Sequence, residues 1–234
     1  MGLAVGLPAS RLMPGPSLAA SRMALATPPS ADLAALSDIA ERVRVCQRCG
    51  LCGTRTNAVP GEGNGRGRIL LVGEAPGRNE DKTGRPFCGA AGKILDAALT
   101  EARIDRADAF VTSIVKCRPP GNRDPTPEEK AACRPYLLEQ VAALRPRVVV
   151  ALGRHGLSGL VGEVPTEFAS LAGTFLPTPL GLPVFVSLHP AAVIYRQAWR
   201  PQFLQHWRDF GAWMRGDGPP GFGPDLSPPP GQGS

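Results

Sequence analysis

Four apolar runs of strand length punctuate the chain, at residues 68–73, 109–115, 147–152 and 183–188. Each is rich in Val, Ile, Leu or Phe and almost unbroken by polar residues, the pattern of strands buried on both faces. Between and after them the spacing changes to that of helices, at residues 90–102, 127–144, 155–161 and 201–215. Thr126-Pro127-Glu128-Glu129 reads as a helix start, with a capping hydroxyl, Pro at the first position and acids in the first turn. Strands alternating with helices predict a three-layer α/β/α domain around a mainly parallel four-stranded sheet.

In such a sheet the ligand site lies beyond the carboxyl ends of the strands. Four segments occupy that edge: "GEAPG", "TSIVKCRPP", "ALGRH" and "SLHPAAV". The glycines near the first of them are not a phosphate cradle. Gly92-Lys93 is followed by Ile94, and Phe87 stands where a P-loop needs its first Gly. The glycines between Gly61 and Gly67 precede the first strand, so a dinucleotide fingerprint fails on context.

Composition narrows the class. No apolar stretch approaches the roughly 18 residues that span a bilayer, and 43% apolar residues over a 234-residue chain suits one globular domain. Residues 1–30 hold no acid and much Ala, Pro, Gly and Ser, without a clean signal-peptide pattern. They predict a disordered leader, with Met23 as an alternative start. The Pro/Gly-rich tail at 216–234 predicts disorder as well, leaving a working domain at 31–215. The formal charge of +6, carried mostly by Arg, fits a polyanionic partner or simple solubility.

Six cysteines stand at Cys46, Cys49, Cys52, Cys88, Cys117 and Cys133. Without a signal peptide, disulfides are disfavoured and a metal centre is the leading reading. Cys46 and Cys49 form a C-x2-C pair, and fifteen residues rich in Pro and Arg separate Cys117 from Cys133. Four thiolates hold either a [4Fe–4S] cluster or a Zn2+, and spacing alone does not choose between them.

Together, "GEAPGRNED", "TGRPF", "GAAGKILD", "TSIVKCRPPGNRDP", the four cysteines and "HPAAV" resemble the iron–sulfur uracil-DNA glycosylases of family 4, in the right order over about residues 40–210. The resemblance implies a [4Fe–4S] cluster on Cys46, Cys49, Cys117 and Cys133, with Cys52 and Cys88 outside the set. It implies catalytic roles for Glu74, Glu80 and His189, and a base pocket that includes Ala75, Gly77, Phe87 and Ser113. Val193 and Ile194 match the loop pushed into the duplex. Arg118 and Arg123, in the loop between the last two cysteines, are the candidate phosphate contacts. The expected enzyme is a monofunctional hydrolase and a cytoplasmic monomer. Its partner is uracil-containing DNA, from which it flips uracil and leaves an abasic site for base excision repair.

The chemistry suits these residues. A base must leave the stack before it can be cut, and an aromatic ring returns part of the lost stacking. A donor aimed at uracil O2 stabilises the departing base, and a carboxylate orients water and favours the cationic sugar. Two departures from the family matter. Ser113 stands where the family carries a base-reading Asn, which leaves open a relaxed glycosylase for other deaminated bases. Ala75 removes one candidate for activating water. A noncatalytic DNA-binding module is the reading from a different class.

Overall fold

The computed structural model describes residues 31–164 and 166–216. The expected leader at 1–30 and nearly all of the expected tail lie outside them. All four predicted strands are present: β1 (Ile69–Gly73), β2 (Ala109–Ser113), β3 (Val148–Leu152) and β5 (Pro183–Ser187). A fifth strand, β4 (Phe175–Pro177), corrects the expected four-stranded sheet. It is three residues long, ends on Pro and pairs antiparallel at the edge beside β5, too short to leave a period in the sequence. The sheet order is β2-β1-β3-β5-β4, with every other pairing parallel.

Alternate strand residues feed two cores, which explains the unbroken apolar runs. Leu70, Val72, Val149, Ala151, Val184 and Val186 pack with α1 (Leu33–Arg44), α4 (Pro127–Leu144) and α5 (Gly153–Val161). Ile69, Leu71, Val150 and Phe185 pack with α3 (Ala90–Glu101) and α8 (Arg200–Arg215), whose Phe203, Trp207 and Phe210 are fully buried. The predicted cap of α4 forms as a reciprocal pair. The Glu129 backbone N–H donates to the Thr126 hydroxyl, and the Thr126 N–H to the Glu129 carboxylate. Short helices α2 (Arg78–Thr83), α6 (Phe168–Leu171) and α7 (Pro190–Tyr195) complete the chain order. α1 was also absent from the predicted elements; Asp32 caps it by accepting from the Ala35 N–H, and it delivers the chain to Cys46.

Candidate active site and cysteine cavity

β1 and β2 run in register to their last residues, so Gly73 lies beside Ser113 at the carboxyl edge. The absence of a side chain at Gly73 is what admits the Phe87 ring, since a Cβ there would lie 2.8 Å from the Phe87 Cζ. Phe87 itself has a φ of +48°, in the left-handed region that disfavours an aromatic residue. Three features hold it there. A Cβ at Gly92 would lie 1.8 Å from the Phe87 carbonyl oxygen, so only Gly allows that close approach. Arg106 donates to the Pro86 carbonyl at 2.8 Å. The Glu80 carboxylate accepts from the backbone N–H groups of Gly77, Cys88 and Gly89 at 3.1, 3.0 and 3.2 Å. Glu80 is thus a brace across the turn, with both oxygens engaged.

An open cleft collects most of the predicted site: Glu74, Ala75, Gly77, Glu80, Phe87, Ser113, Arg123 and His189 all line it. Ser113 is 4% exposed, and among the described residues its hydroxyl has no hydrogen-bond partner. His189 is the N-cap of α7. Its Nδ1 accepts from the Ala191 N–H at 3.1 Å, and burial pushes its pKa down to about 4. The imidazole is therefore neutral at pH 7, and the tautomer follows from the cap: the proton is on Nε2. Its ring lies 5.8 Å from that of Phe87, tilted by 35°. Gly153, at φ +86°, leaves the space that the His189 side chain fills.

Glu74 is in a different state. Burial raises its carboxyl above the usual carboxylate range, partly offset by His155, while Asp124 adds to the rise. Its Oε1 is buried without a hydrogen bond, 3.3 Å from His155 Nδ1, whose Nε2 lies 3.5 Å from Asp124 Oδ2. His155 was not among the predicted site residues, although "ALGRH" was placed at this edge of the sheet.

The two residues expected as the wedge sit differently. Val193 is 2% exposed and packs in the core with Leu95 and Phe203. Ile194 lines a neighbouring hollow with Gln197 and Arg200. The residue that projects from the cleft rim is Tyr195, 87% exposed. Its polar hydroxyl sets it apart from the apolar pair expected to enter the duplex. Of the two arginines, Arg123 reaches the cleft and is held by Glu129 through both ends of its guanidinium, at 2.9 and 2.7 Å. Arg118 instead donates to Asn122 Oδ1 at 2.7 Å.

Cys46, Cys49, Cys117 and Cys133 line a second cavity, and Cys52 joins them on its wall. Cys88 lies apart, in contact with Thr83 and Glu80. Donors point at the sulfurs: Arg55 Nη1 to Cys117 at 3.1 Å, the Lys116 N–H to Cys133 at 3.3 Å, and the Arg48 N–H to Cys46 at 3.5 Å. Burial pushes the Cys117 thiol up and that of Cys133 up to about 11. Asp81, buried against the backbone N–H groups of Thr56 and Asn57, ties the segment after these cysteines to α2. Among the described residues, Glu74, Asp124 and His155 form a group of ligating side chains whose donor atoms lie within 4.8 Å of one another.

Comparison with known proteins places this architecture in context. A family model described as the uracil DNA glycosylase superfamily matches residues 60–211. The type-4 uracil-DNA glycosylase of Archaeoglobus fulgidus is 41% identical over 182 residues, covering 75% of this chain and 92% of that protein. That of Saccharolobus solfataricus is 45% identical over 164 residues, 67% and 76% of the two chains. That of Thermotoga maritima is 46% identical over 156 residues, 67% and 81% of the two.

Proposed function

The chain belongs to the uracil DNA glycosylase superfamily and, within it, to the type-4 uracil-DNA glycosylases, and from that premise we propose how its cleft works. It is a uracil-DNA glycosylase, a hydrolase of N-glycosyl bonds that acts in base excision repair. The observation that carries the mechanism is His189, neutral, with Nδ1 occupied by the Ala191 N–H and Nε2–H without a hydrogen-bond partner among the described residues.

Uracil leaves the duplex, which costs a few kcal/mol of stacking, and stacks on Phe87 beside His189. As the C1′–N1 bond lengthens, its electron pair passes to the base and negative charge collects on O2. His189 Nε2–H donates to that oxygen, a bond that strengthens only as charge develops. The Glu74 carboxylate orients a water whose oxygen closes on C1′ and whose proton it receives; a raised pKa suits that role. Uracil and an abasic site are the products. Glu80, its oxygens already engaged by three backbone N–H groups, serves by shaping the Phe87 turn and not by activating water. Ala75 and Gly77 form the small-residue floor of the cleft. Arg123 and Arg118 meet the phosphates, and Tyr195 with Ile194 fills the space left in the duplex. Residues 31–215 make up the glycosylase unit.

The donor set fits a [4Fe–4S] cluster on Cys46, Cys49, Cys117 and Cys133. All four line one cavity, as a centre held by four thiolates requires. Three donors already face the sulfurs, as the outer-shell partners of a thiolate-held centre do. When bound, the cluster supplies thiolate–iron bonds that staple the 117–133 loop to the N-terminal pair. The partner is uracil-containing DNA, and the working form is a cytoplasmic monomer; among the described residues no helix is long and apolar enough to cross a membrane.

Oligonucleotides bearing uracil, hypoxanthine or xanthine test this reading, with alkali cleavage reporting abasic sites. Uracil should be cut fastest. The unpartnered Ser113 hydroxyl favours measurable activity on a second base. Absence of uracil excision by iron-loaded protein would sink the mechanism.

A further inference from the structure

Lys116 is 1% exposed, and its ammonium touches only oxygens: Thr112 Oγ1 at 2.6 Å, the Ser113 carbonyl at 2.7 Å and Gln140 Oε1 at 2.8 Å. The Gln140 amide N–H is spent on the Pro60 carbonyl, and the Thr112 hydroxyl lies 3.0 Å from the same acceptor. All three contacts therefore offer lone pairs, which calls for a nitrogen with three N–H groups, a protonated lysine. Among the described residues no carboxylate lies within ion-pair distance of it. A dehydrated cation without an anion is costly. The residue lies against the cysteine cavity, which it lines, and its backbone N–H donates to the Cys133 sulfur at 3.3 Å.

We infer that Lys116 is a positioning residue with two ends: it is the buried counter-charge of the thiolate centre, and its ammonium locks the uracil-reading end of β2. The inference rests on the cluster assignment above. Four thiolates outweigh the charge of an iron–sulfur core, so the centre is net negative and a buried cation beside it offsets that charge. The same ammonium grips Thr112 and Ser113, and Ser113 lines the base cleft. The cleft is thereby held in place by the residue that balances the cluster.

The test is spectroelectrochemistry of holoprotein purified without oxygen, comparing wild type, Lys116→Met and Gln140→Glu. The second variant leaves the lysine in place and sets a carboxylate against it, so the measurement survives if Lys116→Met does not fold. Removing or neutralising a cation disfavours the added electron. Both variants should keep wild-type iron content and shift the midpoint potential negative, by at least a tenfold change in the reduced-to-oxidised ratio, about 59 mV for one electron. Lys116→Met should also lose at least tenfold in uracil excision while binding uracil-free duplex as wild type does. Potentials that match wild type in both variants overturn the inference, whatever happens to activity. Failure of the cluster assignment looks different: wild-type protein would itself be colourless and free of iron.

Discussion

Two stretches of the cleft wall, whose acids Glu74 and Glu80 stand six residues apart in sequence, are held in contrasting ways. In the turn from Gly77 to Gly89 the Glu80 carboxylate meets three backbone N–H groups, and the left-handed Phe87 is fixed through Gly73, Gly92 and Arg106. At the end of β1, Glu74 has a buried oxygen with no hydrogen bond among the described residues and a carboxyl whose pKa burial raises. Buried polar atoms are almost always matched, so an unmatched one asks for a reason. In the mechanism proposed above, the acid of the first stretch is frame, its oxygens engaged once the chain has folded, and the acid of the second is reserved for a partner that arrives with the substrate. His189 combines both: Nδ1 is committed to the α7 cap and Nε2–H is free.

The largest effect should come from removing that free donor. His189→Ala is expected to lower single-turnover excision by about 10²–10³, with little change in binding to uracil-containing DNA. A wild-type rate in single turnover would remove His189 from the mechanism. The residue also links stability to pH. Its folded pKa, near 4, lies below the ordinary 6.5, so between these values the unfolded chain binds more protons. Its contribution is complete above pH 6.5 and is lost as pH falls toward 4, an effect of roughly 3 kcal/mol at most. Urea melts at pH 7 and pH 4.5 should show a smaller loss for His189→Ala than for wild type.

The two glutamates sharpen the contrast directly. Glu80→Gln places an amide where three N–H groups expect a carboxylate, and should cost about 1–3 kcal/mol of stability. Glu74→Gln should do the opposite. Because burial raises the Glu74 pKa, the folded state holds its proton more tightly than the unfolded chain, and stability from this group declines as pH rises through the carboxylate range. Replacement by neutral Gln removes that penalty, so the variant should melt no lower than wild type at pH 7 while excising uracil at least tenfold more slowly. Matching melting losses in both variants would erase the distinction between frame and reserve.

The frame was the more legible part in the sequence. Apolar runs buried on both faces fixed β1, β2, β3 and β5 to within a residue or two, and Thr126-Pro127-Glu128-Glu129 marked the start of α4. What escaped has no period to read: β4 is three residues long, and α2 and α7 are six each. The site was legible as a set of residues, since eight predicted ones line one cleft, but not as states. Sequence does not say that Glu80 spends its oxygens on backbone or that Val193 turns into the core. His155 escaped because its contacts come from Glu74 and Asp124, distant in the chain.

Ser113 belongs to the reserve, and its replacement should have a moderate effect. Its hydroxyl lies at the end of β2 beside Gly73 and Phe87, with no partner among the described residues. Ser113→Asn supplies both a donor and an acceptor on a longer arm. Preference for uracil over hypoxanthine, measured as a ratio of kcat/KM values, should rise by about tenfold, within the 1–3 kcal/mol of one buried hydrogen bond. Loss of all activity would mean that the pocket is built around the smaller side chain.

The smallest effect should come from Tyr195, the one member of the reserve that stands in water. It is 87% exposed, so Tyr195→Ala should leave the melting temperature unchanged, whereas Val193→Ala, two residues away and buried beside Leu95, should lower it through the cavity it leaves. Tyr195 can act only when a duplex is present, because only there does extrusion of the base leave a gap beside stacked neighbours. Stacking on an exposed ring is worth about 1–3 kcal/mol per base, and part of that is spent in ordering the side chain. Tyr195→Ala should therefore weaken binding to uracil-containing duplex by about three- to tenfold, near 1 kcal/mol, and leave excision from single-stranded oligonucleotides as in wild type. Equal losses on both substrates would place Tyr195 against the extruded nucleotide instead of in the gap. Equal losses in both, with Ile194→Ala sparing single strands, would move the wedge one residue back along α7.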